Sequence, residues 1–301
     1  MSLINLGDRN IVVEKGLVRI ACIDGEKFKF LDDPQELLTR IRHCGPRIDL
    51  FTFIQRVSDT TPLYSYPMEL DNLAVLPIST FEHWWEKQIG FKARNKAKQA
   101  QKKGVTLREV SFDESLVEGI WQIYNESPIR QGRRFPHYGK TVGTVHREAS
   151  TFPDSSVFIG AFLGDRMIGF TKLVIDETKT QAGLMHIVSL LSQRDKAPTN
   201  ALVAEAVRAC AKRNISYLSY SNFAYGKKQH DSLSDFKERN GFQRVDLPRY
   251  YVPLTPVGSL ALRLGLHHKM ADRIPEPLAA RLREFRNKWN NRKLPATAEV
   301  C

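Results

Sequence analysis

The sequence predicts an α+β protein: a mixed central sheet flanked by helices, with a smaller strand-rich N-terminal half and a helical C-terminal extension. Three observations predict it. Short β-favouring runs fill the first 80 residues. Residues 111–254 then read as helix, basic loop, short helix, three antiparallel strands, helix, strand, helix and final strands. Residues 255–301 are basic and carry helical spacing. With 301 residues, of which 42% are hydrophobic and 26% charged, the chain can bury a sizeable core.

The elements follow in order. Ile11-Val12-Val13, Leu17 to Ala21 and Phe28 to Leu31 are apolar, partly β-branched runs separated by Glu-Lys-Gly and Asp-Gly-Glu turns. Asp32-Asp33-Pro34 opens a short helix, because proline suits a first helical turn. Asp49 to Val57 is a further strand, and Pro62 to Pro77 reads as loop and turn. Phe81 to Gly104 reads as one long helix with Phe81, Trp84, Trp85 and Ile89 on its apolar stripe. Ser111 and Glu114 look like a capping box for the next helix. A Pro/Gly-rich loop spans 127–140, and 144–150 forms a short helix. Val157 to Leu163 and Met167 to Ile175 flank Gly164-Asp165-Arg166 as a hairpin, and Gly183 to Leu191 is a third strand. A loop over 192–199 leads into a helix over 200–213. Strand 216–222, helix 232–239 and one or two strands over 244–254 complete the body. Leu278, Leu282, Phe285 and Trp289 lie at helical spacing in the tail. The expected division is a reduced α/β half (1–80), a basic connecting helix (81–110), a catalytic domain (111–254) and a basic helical extension (255–301).

Charge and cysteine usage narrow the function classes. Lys+Arg is 45 against 33 Asp+Glu, a net +12, which favours a polyanionic partner. Between Lys87 and Arg108 eight residues are basic and none is acidic. That helix is either a solvated basic face or an anion-binding surface, with tRNA as one possible ligand. Cys22, Cys44, Cys210 and Cys301 are scattered, and the histidines are dispersed apart from His267-His268. Neither a metal site nor a disulfide framework is expected. The first residues lack a signal-peptide pattern and no apolar run of about 18 residues occurs, so a soluble cytoplasmic protein is expected.

The junction near residue 194 carries the chemistry. A strand ends near Leu191 and a helix starts near Asn200. Orphan N–H groups and the helix dipole make such a junction a site for phosphate or carboxylate. Arg194, Lys196, Thr199 and Asn200 are therefore the donor-binding candidates.

Here the sequence resembles the GNAT N-acyltransferase superfamily, whose strand–helix junction reads Arg/Gln-x-x-Gly-x-Gly/Ala. Arg194-Asp-Lys-Ala197-Pro-Thr199 stands in that register, with both glycines replaced and with Pro198 lacking an N–H. These departures point to a donor other than coenzyme A, or to a looser coenzyme A mode. Phe236-Lys237 before Gly241, and Trp84-Trp85 followed by Lys92 to Val105, resemble the FemABX-like branch, which transfers aminoacyl groups from charged tRNA to amines of cell-wall precursors. The resemblance covers roughly residues 80 to 254.

The resemblance implies an N-acyltransferase that moves an acyl or aminoacyl group from acyl-CoA or aminoacyl-tRNA to an amine. The donor is a co-substrate, and no permanently bound cofactor is expected. It assigns Lys237 to stabilising developing negative charge. Tyr220, Asn222 and Tyr225 lie where they would orient the acceptor, although their alternation is also plain strand patterning. Arg130, Arg133, Arg134 and Tyr138 are the acceptor-binding candidates, since guanidinium grips phosphate and carboxylate bidentately. His137 is an acid/base candidate by location, and His186 reads as a core histidine. Two other readings stay open. One is a non-catalytic nucleic-acid-binding protein with the same fold. The other is an ordinary coenzyme A acetyltransferase.

Overall fold

The computed structural model describes residues 2–7, 9–44, 47–224 and 232–268. In chain order the elements are β1 (Ser2–Asn5), β2 (Asn10–Glu14), β3 (Ile20–Ile23), α1 (Pro34–Cys44), β4 (Leu50–Ile54), β5 (Met68–Pro77), α2 (Phe81–His83), α3 (Phe91–Lys102), β6 (Val105–Val110), α4 (Glu114–Asn125), β7 (Ile129–Arg130) and β8 (Arg133–Arg134). They continue with α5 (Val142–Ala149), β9 (Ser156–Leu163), β10 (Arg166–Ile175), β11 (Gln181–Ser189), α6 (Pro198–Lys212), β12 (Tyr217–Asn222), α7 (Ser232–Arg239), β13 (Gln243–Pro253) and α8 (Pro256–Arg263).

Eleven strands form one mixed sheet in the order β1-β2-β3-β4-β13-β5-β12-β11-β10-β9-β6, and β7-β8 is a separate two-stranded ribbon. The architecture is α+β, as the sequence predicts. Strand β13 lies between β4 and β5, so the sheet runs unbroken across the expected boundary near residue 80. The same strand serves three cores. Tyr250 and Val252 join Ile11, Leu38 and Phe51. Leu247 joins Phe30, Ile54 and Val75. Phe242, just before the strand, joins Trp84, Leu116, Phe170 and Leu202.

Several elements differ from the sequence reading. Residues 68–77, expected as loop, form β5, which pairs with β13 on one side and β12 on the other. Asp71 and Asn72 hid it, being residue types that strands usually avoid. Here Asp71 pairs with Arg249 and the Asn72 side chain accepts from the Ala224 N–H at 2.7 Å. Residues 28–31 do not form a strand, whereas residues 2–5 do. The cap of α4 is Asp113, which accepts from the Leu116 N–H at 2.8 Å, and not Ser111. The expected helix over 81–104 is two helices joined by a π-turn over Trp84–Gln88. Trp84 is fully buried and donates its indole N–H to the Asn240 carbonyl at 2.9 Å. Gly90 donates to the Arg239 carbonyl at 2.8 Å. These bonds to a segment 150 residues away hold the chain at the break. The tail segment around Leu278 to Trp289 lies outside the described residues.

Two features of the sheet set its stability. Arg249, on β13, holds Glu26 bidentately at 2.9 and 3.1 Å and Asp71 at 2.6 Å, tying residues before β4 to β5. Its side chain is only 12% exposed, so removing it strands two carboxylates. Arg249→Ala should lower the unfolding free energy by about 3 kcal/mol, read as a lower urea midpoint at unchanged slope.

His186, on β11, packs edge-on to His137 with ring centroids 5.7 Å apart and lies near Phe170. Burial, reinforced by the neighbouring His137, pushes its pKa down to about 4, against about 6.5 for a free imidazole. Above pH 6.5 both folded and unfolded chains carry the neutral ring. Between pH 6.5 and 4 the unfolded chain binds a proton that the folded chain refuses, so stability falls as pH falls. The loss should reach about 2–3 kcal/mol by pH 4.5. Urea titrations at pH 7 and 4.5 should show that loss in the wild type and a shallower one in His186→Asn.

Candidate active site at the strand splay

β11 and β12 run parallel and pair for three residues only: Gln181 with Tyr217, Ala182 with Leu218 and Gly183 with Ser219. Beyond that the strands separate. The cause on β12 is a bulge against β5 between Ser219 and Asn222, with Ser221 left-handed at φ 50°. On β11 the side chains pass from buried at 181–184 to half-buried at 185–189. The gap opens an exposed cleft of about 970 Å³. Ile187 to Ser189 of β11, Leu190 after it, the start of α6, Tyr220 of β12, α3 and α7 wall it.

The donor-side candidates sit at the head of this cleft. After Leu190 the chain makes a 3₁₀ turn over Leu191–Lys196, passes through Ala197 and enters α6 at Pro198. Ala197 has φ 53°, ψ 41°, the left-handed region that favours glycine. The structure therefore keeps the backbone turn with a side chain where a glycine would fit more easily. Arg194, Thr199 and Asn200 line the cleft. Thr199 shares a hydroxyl hydrogen bond with Ser189 at 3.0 Å. Lys196 is not in the wall: its ammonium turns to Asp195 at 3.4 Å, which also pairs with Lys103 at 2.9 Å. The amide cradle is thin, because the Ala197 N–H bonds back to the Arg194 carbonyl at 3.1 Å and proline supplies none.

Glu126 is a site residue that the sequence reading missed. Its carboxylate accepts from the N–H groups of Leu191 and Ser192 and from the Ser192 hydroxyl. Burial pushes the carboxyl up, but these donors and Arg130 outweigh it and hold it below the usual range. Its only trace in the sequence is that it is the last acid before the basic loop.

The acceptor-side candidates separate. Arg130 lines the cleft, but its guanidinium donates to the Ser189 carbonyl at 2.6 Å and the Ile123 carbonyl at 2.7 Å, pairs with Glu126 at 3.4 Å and lies over Phe135. It clamps the edge of β11 to α4 instead of standing free for a substrate. Arg133, Arg134 and Tyr138 are exposed and lie outside the cleft wall. The β7–β8 ribbon turns through Gln131 and Gly132, both at positive φ, so that Arg130 on β7 meets the cleft while Arg133 and Arg134 on β8 do not. The cleft's other cations come from Lys92 and Lys96 on α3 and Arg239 on α7. They face it because Ala93, Ala97 and Ala100 let α3 pack closely on α6. Among the described lining residues no aspartate or glutamate occurs.

The catalytic candidates also divide. Tyr220 lines the cleft. Lys237 is fully buried behind the wall, not exposed on its helix. Its ammonium donates to the Asn222 carbonyl and lies 4.8 Å from the centre of the Tyr220 ring. Asn222 lines a separate small internal cavity with Lys27, Asp71 and Arg249; the left-handed Ser221 breaks the alternation that suggested otherwise. Tyr225 lies outside the described residues. His137 stacks on Tyr124 with centroids 4.4 Å apart and bonds Lys140 at 3.0 Å, behind the cleft wall.

No protein-family model and no curated protein matches the chain. Solved structures do. FemX superposes with a TM-score of 0.60 at 10% identity, over 85% of this chain and 86% of that one. L-PGS from Bacillus licheniformis superposes with a TM-score of 0.54 at 14% identity, over 86% of this chain and 90% of that one. At these identities the likeness concerns the fold alone, a GNAT-like mixed central sheet flanked by helices.

Proposed function

We propose that the protein is an N-acyltransferase that takes an acyl or aminoacyl group from an anionic activated donor and passes it to an amine. One observation carries the reading: besides Arg130 and Arg239, which are paired with Glu126 and Asp235, the splay cleft is lined by Lys92, Lys96 and Arg194 and, among its described lining residues, by no acid. Arg194 and Lys92 make no ion pair among the described residues, so their charge is available to a ligand. The donor class is aminoacyl-tRNA or acyl-CoA. The thin amide cradle at Ala197-Pro198 and the reliance on long cationic side chains favour the former, because a nucleic-acid backbone rewards dispersed Lys and Arg. On this reading Lys92 and Lys96 begin a track for tRNA along the basic segment 87–108. The setting is the cytoplasm, where both donor classes occur. Among the described residues no helix is long and apolar enough to cross a membrane.

The chemistry would run in the cleft. The acceptor nitrogen attacks the acyl carbonyl carbon, and the C–N bond forms as the carbonyl oxygen takes up negative charge. Collapse expels the ribose oxygen or thiolate of the donor. That leaving group takes a proton, and the amine loses one. Tyr220, whose side chain lines the cleft, would supply the leaving-group proton. Lys237 acts through it, as a positioning residue whose cation lies against the ring and pins the end of β12. The open cleft supports this reading over a binding-only module, which needs no space beside Tyr220.

Arg194→Ala should raise the donor KM roughly tenfold, and Lys92→Ala with Lys96→Ala should flatten the salt dependence of donor binding. A steady-state assay of acyl transfer from charged tRNA and from acyl-CoA, with binding measured at several salt concentrations, checks both; unchanged KM and unchanged salt slope would remove the donor site from this cleft. Tyr220→Phe should lower kcat by about 10²-fold with little change in KM. Lys237→Met should lower kcat while circular dichroism stays native. Donor bound tightly but never transferred to any amine would favour the binding-only reading.

A further inference from the structure

At the end of β5 that does not pair with β12, three metal-ligating side chains converge. Glu69 stands at the start of β5, and His267 and His268 follow α8. The Glu69 Oε1 lies 2.9 Å from the His267 Nε2 and 3.2 Å from the His268 Nε2. All three donor atoms fall within 4.8 Å of one another. We infer that Glu69, His267 and His268 form a site for a zinc-class divalent transition ion, which fastens the turn after α8 to the sheet.

The geometry points to a metal in three ways. Zinc bonds to imidazole nitrogen and carboxylate oxygen are about 2.0–2.1 Å long, so tetrahedral ligands stand about 3.3–3.4 Å apart. The two Glu69 contacts, at present hydrogen-bond and ion-pair distances, fall within a few tenths of that edge, so a small spreading of the side chains would admit the ion. The donor set is two nitrogens and one oxygen, which suits zinc and its neighbours and not the oxygen-seeking magnesium or calcium. Burial then divides the roles. The His267 side chain is 3% exposed, whereas those of Glu69 and His268 are each 42% exposed. One ligand is thus fixed, and the other two leave an approach for the ion and a fourth position for water.

The local fold holds the histidines in this pose. Thr255 caps α8 by accepting from the Gly258 N–H at 3.1 Å and donates its hydroxyl to Asp49 at 2.8 Å. A Cβ on Gly258 would stand 1.8 Å from the Asp49 carbonyl oxygen, so the helix sits directly on that backbone. Gly265 at φ 63° ends the helix, and the Leu266 N–H returns to the Ala261 carbonyl at 2.7 Å. The chain then lays His267 against Tyr251, with ring centroids 4.6 Å apart. The two histidine rings stand 4.0 Å apart. His267 Nδ1 is buried with no hydrogen-bond partner among the described residues. Metal-bound imidazoles usually have one there, and its lack weakens the site. The expected affinity is therefore micromolar and not that of a closed structural zinc site.

The full-length protein, freed of metal with a chelator, should bind one equivalent of Zn²⁺ by calorimetry. Co²⁺ at the same site should show the visible d–d bands of a four-coordinate N/O environment. Zn²⁺ should raise the thermal midpoint, and a chelator should reverse the rise. Glu69→Gln and His268→Asn change exposed side chains and should keep the fold. Each should weaken Zn²⁺ binding at least tenfold and abolish the thermal shift, while His43→Asn should change neither. No Zn²⁺ binding by the wild type would overturn the inference. So would undiminished binding in both variants, which would put the ion on other ligands.

Discussion

The parallel pairing of β11 and β12 stops after three residues, and the rest of the site depends on that stop. Two parallel strands that stay paired present no gap. Once they part, each has an edge of backbone groups that something must satisfy. On the β11 side Arg130 takes the Ser189 carbonyl, and Glu126 takes the first two amides of the following turn. On the β12 side the Asn222 carbonyl is taken by the buried Lys237. At the end of each strand, charged side chains from flanking segments thus take backbone groups, and the space between the strands is left to solvent or a ligand.

That arrangement explains which charges face the cleft. Glu126 and Arg130 neutralise each other while they hold the wall, so neither gives the cleft a net field. Lys237 is buried against a carbonyl and a ring face; taking an ammonium out of water is costly, and the carbonyl bond and the ring quadrupole offset part of that cost. The field in the cleft comes instead from α3, α7 and Arg194. Helix α3 reaches the cleft because its alanines allow close packing on α6. Lys92 and Lys96, like charges that repel at i,i+4 on an isolated helix, thereby face a space where an anion would relieve them.

What the sequence made legible was whatever depends on near neighbours. The β9–β10 hairpin follows from alternation about Gly164-Asp165. Helix α7 matches its expected bounds at 232–239. The junction from Arg194 to Asn200 lies where the strand ends and α6 begins. What stayed hidden depends on distant partners. The break at Trp84 is set by carbonyls at 239 and 240. The strand β5 is made possible by Arg249 and by the Ala224 N–H, which satisfy its polar side chains Asp71 and Asn72. Arg130 reads as a free loop arginine until Glu126, Ile123 and Ser189 surround it. Asn222 misleads because one left-handed serine reverses the face of everything after it. Residue type named the chemistry, but only the long-range contacts decided which of those residues reach the cleft.

Ala197 shows how a single backbone state limits the ligand. A left-handed residue with a Cβ costs roughly 1–2 kcal/mol relative to one without, so the surroundings must hold it. Pro198 fixes the next φ, and the Ala197 N–H is tied back to Arg194. Ala197 is only 8% exposed, so this turn is packed against its surroundings, and its N–H is already spent on the Arg194 carbonyl. An anion at this turn is therefore kept farther from the backbone than a glycine turn would allow. Side chains must span the difference, and Arg194, Lys92 and Lys96 are long enough to do so. Contacts of that length tolerate variation in where each phosphate lies. Such contacts fix an anion less closely than a ring of backbone amides does, so the turn sets the charge of what can bind here more firmly than its exact pose.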